Sequence, residues 1–218
     1  MNKAFKAKVT KSTFKMPKWM ECSWRRQECG RKSCKICSRL QKDRQRHLDA
    51  GEDPDDMAVV FEDISLAFKE TLAAIKRDAE RLGIDITNID HIQEPPRPEK
   101  FSLYRKVAAW RHSMADLLEG ADLDEEIWPF TDEGQDLSWY KNTLCAKVYR
   151  QLTNRWHLDS DDDYGEFDYE YTQYVLKECL KILKASLSEL IKMDLRHKPQ
   201  FLIALANLNT LESKILKI

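Results

Sequence analysis

The chain has 218 residues, 42% of them apolar and 33% charged, with a formal net charge of -1. The apolar content is enough for a core and excludes disorder throughout, while six glycines and seven prolines are few for this length and favour long helices over a many-turned β architecture. The near-neutral total hides an asymmetry: residues 1–50 carry 15 Lys or Arg against 4 Asp or Glu, and the remainder carries 21 against 33. A basic N-terminal part on an acidic body points to a polyanionic ligand, or to docking of one half on the other.

In chain order, residues 1–21 read as a flexible basic arm. The opening "MNKAFKAKVTKSTFKMPKW" has no apolar signal region, so a cytoplasmic protein with reduced thiols is expected. Residues 22–50 hold the densest chemistry, "CSWRRQECGRKSCKIC", followed by a short basic helix that stops at Gly51. The four cysteines Cys22, Cys29, Cys34 and Cys37 are spaced C-x6-C-x4-C-x2-C. Two thiolates two residues apart can share one ion while the intervening amides point at sulfur, and Gly30 suits the turn that would return the first pair onto the second.

Clustering of this kind in a reducing compartment argues against disulfides and isolated structural thiols. The segment resembles a zinc-ribbon or zinc-knuckle module, and the resemblance implies a structural zinc on Cys22, Cys29, Cys34 and Cys37. A closed set of four thiolates leaves no open position for catalysis. An iron-sulfur centre uses the same ligands and is the third reading.

Cations surround the cluster. Some offset the negative charge of a four-thiolate zinc site, and the rest exceed that need. Lys15, Lys18, Arg25, Arg26, Arg31, Lys32, Lys35 and Arg39 are therefore candidate nucleic-acid contacts, with an acidic protein surface as the alternative partner. Trp19 and Trp24 have two readings, as stacking platforms for bases or as the apolar centre of the small module.

Residues 53–218 are predicted to form an acidic bundle of about five helices, giving an all-α fold with a small N-terminal zinc module. "EDPDDM" reads as a helix start, with Asp53 as cap and Pro54 in the first helical position. Met57, Phe61, Ile64, Phe68, Leu72, Ile75, Ala79 and Leu82 then recur at helical spacing up to a stop at Gly83. After the proline-punctuated "ITNIDHIQEPPRPEK", a helix near 99–119 turns Leu103, Val107, Trp110, Met114 and Leu117 to one side. Ile127, Trp128 and Phe130 are expected to pin the following loop.

Three more helices are expected, over 137–157, over 167–197 and from Pro199 to the end, the last with Leu202, Leu205, Leu208, Leu211 and Ile215 inward. A fragment starting near Gly51 is expected to fold by itself. Cys145 and Cys179 fall within these helices as small core residues.

"DSDDDYGEFDYE" has the acid spacing of a calcium loop but Tyr164 where the sharp turn needs glycine, so it is read as a solvated acidic loop. No H-E-x-x-H, phosphate-binding glycine loop, dinucleotide fingerprint or nucleophile elbow occurs, so the sequence supports binding over catalysis and implies no small-molecule substrate. The longest uncharged run is too short to span a bilayer.

Overall fold

The computed structural model describes residues 14–26, 35–83, 85–86, 94–159 and 166–218. Among them the structure is all-helical, with no strand. A one-turn helix α1 (Lys18–Glu21) is followed by six longer helices: α2 (Lys35–Asp49), α3 (Met57–Leu82), α4 (Ser102–Glu119), α5 (Asp132–Asp159), α6 (Glu166–Met193) and α7 (Lys198–Ile215). No described helix is long and apolar enough to cross a membrane.

Contacts divide the chain differently from the sequence-based boundaries. One unit comprises Met1–Glu28 with Pro95–Ile218, and the other is Cys29–Glu94. In the first, α5 and α6 are neighbours running antiparallel, since Arg150 pairs with Asp168 and the earlier Lys147 reaches the later Tyr171. α7 packs on α6, joined by Lys184–Glu212 at 2.6 Å, and α4 closes the bundle where the Trp110 indole donates to the Ala204 carbonyl at 3.0 Å. The core runs through Val107, Leu144, Val148, Leu176, Leu183, Leu187, Leu190 and Leu208, all fully buried. Cys145 and Cys179 lie inside it, as their sequence positions imply, and burial pushes the Cys179 thiol up to about 12.

The helical periods place most of this core correctly, and three details differ. In α7 the inward set is Phe201, Ala204, Leu208, Leu211 and Ile215, while Leu202 is exposed. Phe201 is drawn in because its ring meets Trp128 edge to face at 5.1 Å. Of the three residues expected to pin the loop before α5, Trp128 alone is buried, and Ile127 and Phe130 are exposed. α5 begins at Asp132, five residues before the expected start, because Thr131 caps it: its hydroxyl accepts from the Gly134 amide at 3.2 Å.

The second unit contains α2, a turn through Gly51 in the left-handed region (φ 76°), and α3. The cap of α3 is Asp56, not Asp53: its side chain accepts from the Ala58 amide at 2.8 Å, and Pro54 lies in the preceding turn. Gly83 ends the helix at φ 68°, as expected. The apolar stripe of α3 is not buried as a bundle helix requires. Met57, Phe61, Ile64, Phe68, Leu72, Ile75 and Leu82 are all exposed, and Ala79 alone in α3 is buried.

Among the described residues, polar contacts join α3 to α2 and the turn between them. His47, 5% exposed, presents Nδ1 to Glu52 at 2.6 Å and Nε2 to Asp63 at 3.1 Å, and Arg46 also reaches Asp63. Arg44 forks onto Asp55 with two contacts of 2.7 Å. The hydrogen bonds to Glu52 and then Asp63 raise the His47 pKa above 6.5, against burial and the smaller opposing charge of Arg46.

A histidine with a raised folded-state pKa contributes stability that is complete below about 6.5 and is lost as pH rises through the folded value. Amides around residues 46–60 are therefore expected to exchange faster, beyond the intrinsic base-catalysed rise, once His47 deprotonates. A His47 ring that titrates at or below 6.5 by NMR would sink this expectation.

Candidate functional site

The N-terminal segment is built onto the first unit's bundle. Trp24, 2% exposed, enters the core between Tyr140 and Tyr174, each meeting its ring edge-on at 6.3 Å. Its carbonyl accepts from the Trp139 indole at 2.9 Å, and Ser23 Oγ lies 2.9 Å from the Tyr171 hydroxyl. Trp24 thus belongs to the bundle's core and offers no face to a base. The side chain of Trp19 is outside the described residues.

The two arginines beside Trp24 are engaged by acids of the same unit. Arg26 donates through Nε to Asp136 at 2.6 Å and through its terminal nitrogens to Gln135 at 2.7 Å and Asp132 at 2.9 Å, while its amide reaches the Tyr140 hydroxyl at 3.2 Å. Arg25 lies over the Trp24 ring, 4.5 Å from its centroid, with Glu178 at 3.7 Å and Glu21 at 3.9 Å. A phosphate would have to displace these carboxylates. Arg26, Gln135, Ser138, Trp139, Asn142 and Thr143 line an open groove of about 500 Å³ along α5, in which Trp139 is half exposed.

Of the other candidate contacts, Lys15 is exposed. Lys18 lies on α1, and Lys35 and Arg39 lie on α2, with side chains outside the described residues; Arg31 and Lys32 are outside them entirely. Of the four cysteines, Cys22 caps the C-terminus of α1 and is half-buried. Cys37 is in the first turn of α2 with its side chain outside the described residues, and Cys29 and Cys34 are outside altogether, as is most of the acidic loop at 160–165.

Two features escaped the sequence. Glu126, Asp194 and His197 bring three ligand-type atoms within 4.8 Å of one another. Their contacts are those of the turn between α6 and α7: Asp194 accepts from the Arg196 amide at 2.7 Å and from the His197 amide at 3.1 Å, and Arg196 pairs with Glu126 at 2.9 Å. Burial pushes the Asp194 carboxyl up, but the His197 ring and the two amides outweigh it and hold it low. An aspartate whose side chain can accept from the amides two and three residues on was the sequence signal for this turn.

The second feature is Lys141, the buried lysine among the described residues, whose ammonium donates to the Ser138 carbonyl at 2.9 Å. Burial, and then the charge of Arg111, lower its pKa. Nothing in the local sequence marks it, because the position looks like any polar turn of an amphipathic helix.

No family model, no curated protein and no solved structure matches the chain.

Proposed function

We propose that the protein works by binding another protein, and that α3 is the contact element. The observation that carries this is the α3 stripe: seven large apolar side chains on one face of a 26-residue helix, all exposed. An exposed apolar face of this extent is the mark of an interaction surface, and helices laid face to face on such stripes are a common mode of recognition. The polar clamp between α2 and α3 supports the reading, because it holds the hairpin through Asp55 and Asp63 and leaves the stripe for a partner.

The cysteine cluster would serve as a structural zinc site, with Cys22, Cys29, Cys34 and Cys37 as thiolate ligands organising the segment that precedes α2. Cys145 and Cys179, buried and with raised pKa values, are poor alternatives as ligands. The excess of +11 over residues 1–50 favours a second reading, nucleic-acid binding through that segment. Against it stands the pairing of Arg25, Arg26, Arg44 and Arg46 with acids of the chain's own surface.

A photo-crosslinking amino acid at Phe68, introduced in the cells that make the protein, tests the two. Protein adducts that persist after nuclease treatment are expected. Adducts to nucleic acid alone would overturn the reading in favour of the second. The same preparation, purified under reducing conditions, is expected to hold one zinc per chain, lost in Cys34→Ser; stoichiometric iron would move the cluster to the iron-sulfur alternative.

A further inference from the structure

The apolar pattern of α3 carries a symmetry of its own. The central exposed residues Phe61, Ile64, Phe68, Leu72 and Ile75 are separated by three, four, four and three residues, so this part of the pattern reads the same from either end with Phe68 at its centre. At 100° per residue these positions all fall within one narrow stripe. A two-fold interface is self-complementary, each position meeting its mirror in the second copy, and a stripe that is its own mirror meets that condition. We infer that the partner of α3 is a second copy of α3, packed antiparallel about an axis at Phe68. This rests on the reading of α3 as a protein-binding element.

The register fixes the contacts. Phe68 meets Phe68 on the axis, Ile64 meets Leu72 and Phe61 meets Ile75, while the exposed Met57 and Leu82 flank these five without a mirror partner. Neither the stripe nor this pairing buries a charge. On the flank, Glu62 of one copy comes within two residues, about 3 Å along the axis, of Lys76 in the other, giving two symmetric pairs. The two Lys69 side chains fall near each other close to the axis and oppose these, so the apolar stripe is the main source of affinity.

The extent is also suitable. Phe61 is 61% and Phe68 66% exposed, leaving roughly 100 Å² of each in water. With the exposed Met57, Ile64, Leu72, Ile75 and Leu82 the whole face reaches on the order of 700 Å², close to the ~800 Å² per partner of a standard specific interface. The Asp56 cap and the left-handed Gly83 bound the helix, so its ends do not continue far past the paired region.

The full-length chain tests this through its mass in solution and through disulfide mapping. Sedimentation of the wild-type chain is expected to give a concentration-dependent dimer. Phe68→Cys, oxidised under mild conditions, should yield a disulfide joining position 68 of one copy to position 68 of the other, and peptide mapping separates that link from any among the native cysteines. Phe61→Cys should give no such symmetric link, since position 61 faces position 75. Phe68→Glu, which sets two carboxylates on the axis, should weaken dimerisation at least a hundredfold while circular dichroism stays unchanged, because Phe68 is exposed within its own chain.

A wild-type chain that sediments as a monomer, while photo-adducts at Phe68 carry a different protein, overturns the self-pairing and leaves protein binding standing. A symmetric link in Phe61→Cys of the same yield as that in Phe68→Cys overturns the antiparallel register. A dimer that survives Phe68→Glu overturns the assignment to α3.

Discussion

A Trp24→Ala variant is expected to lose about 3–5 kcal/mol of stability, the usual cost of emptying a buried tryptophan site. The physical reason is that one side chain from the N-terminal segment fills the space between α5 and α6. Trp24 is 2% exposed, its ring meets Tyr140 and Tyr174 edge-on, the backbone beside it is held by Trp139 and Tyr140, and the Ser23 hydroxyl meets that of Tyr171. Without the ring, those tyrosines face a cavity and the anchor of residues 14–26 is gone. Thermal unfolding followed by far-ultraviolet circular dichroism measures the loss. Trp24→Phe should cost much less, because the indole N–H reaches no acceptor among the described residues and its removal gives up no hydrogen bond. An Ala variant as stable as wild type would show that the segment does not dock.

The same contact explains where the domain boundary was not legible. "CSWRRQEC" locally resembles the small apolar and basic content of a metal module, and its long-range partner Tyr140 lies more than a hundred residues away. Nothing in a local pattern announces that contact. The amphipathic period of α4 could be read because burial of one stripe repeats every turn, and the expected stripe there contains the buried Val107, Trp110 and Met114. For α7 the leucines suggested a stripe through Leu202, and the choice of Phe201 depended on Trp128, a residue from a different segment.

α3 illustrates the other limit. Its stop and its apolar face were visible and its start was read three residues early, yet periodicity gives only the existence of a face and says nothing of what covers it. The chain's most regular amphipathic helix turned out to be the one whose face is exposed. Of the candidate site, Arg25 and Arg26 could be singled out as cations, but their partners Glu178, Asp132 and Asp136 come from α5 and α6. The acidic character of the body, read at first as a mere excess of charge, is here spent at specific arginines.

Gly134→Ala is expected to have the second large effect, and it tests why α5 starts where it does. A glycine inside a first helical turn looks like a poor choice, since alanine is the better helix former by about 1 kcal/mol. The propensity argument taken alone predicts a more stable variant. Packing predicts the reverse. A Cβ at this position would meet the Trp128 carbonyl oxygen well inside contact distance and would lie 2.9 Å from Pro129 Cα and 3.0 Å from Pro129 C. All three atoms are backbone, so no side-chain rotation relieves the clash, and either the turn at Trp128–Phe130 or the first turn of α5 must move. Moving the turn pulls Trp128, 4% exposed, off Phe201, and moving the helix breaks the cap that Thr131 makes to the Gly134 amide. Overpacking of this kind costs about 1–3 kcal/mol, and more where backbone must shift. The variant should therefore melt several degrees lower, while Gly120→Ala, whose Cβ would meet only the Asp116 carbonyl at 3.1 Å, should change the melting temperature less. A Gly134→Ala variant that melts at or above wild type would mean that the Trp128 turn is free to yield and does not fix the start of α5.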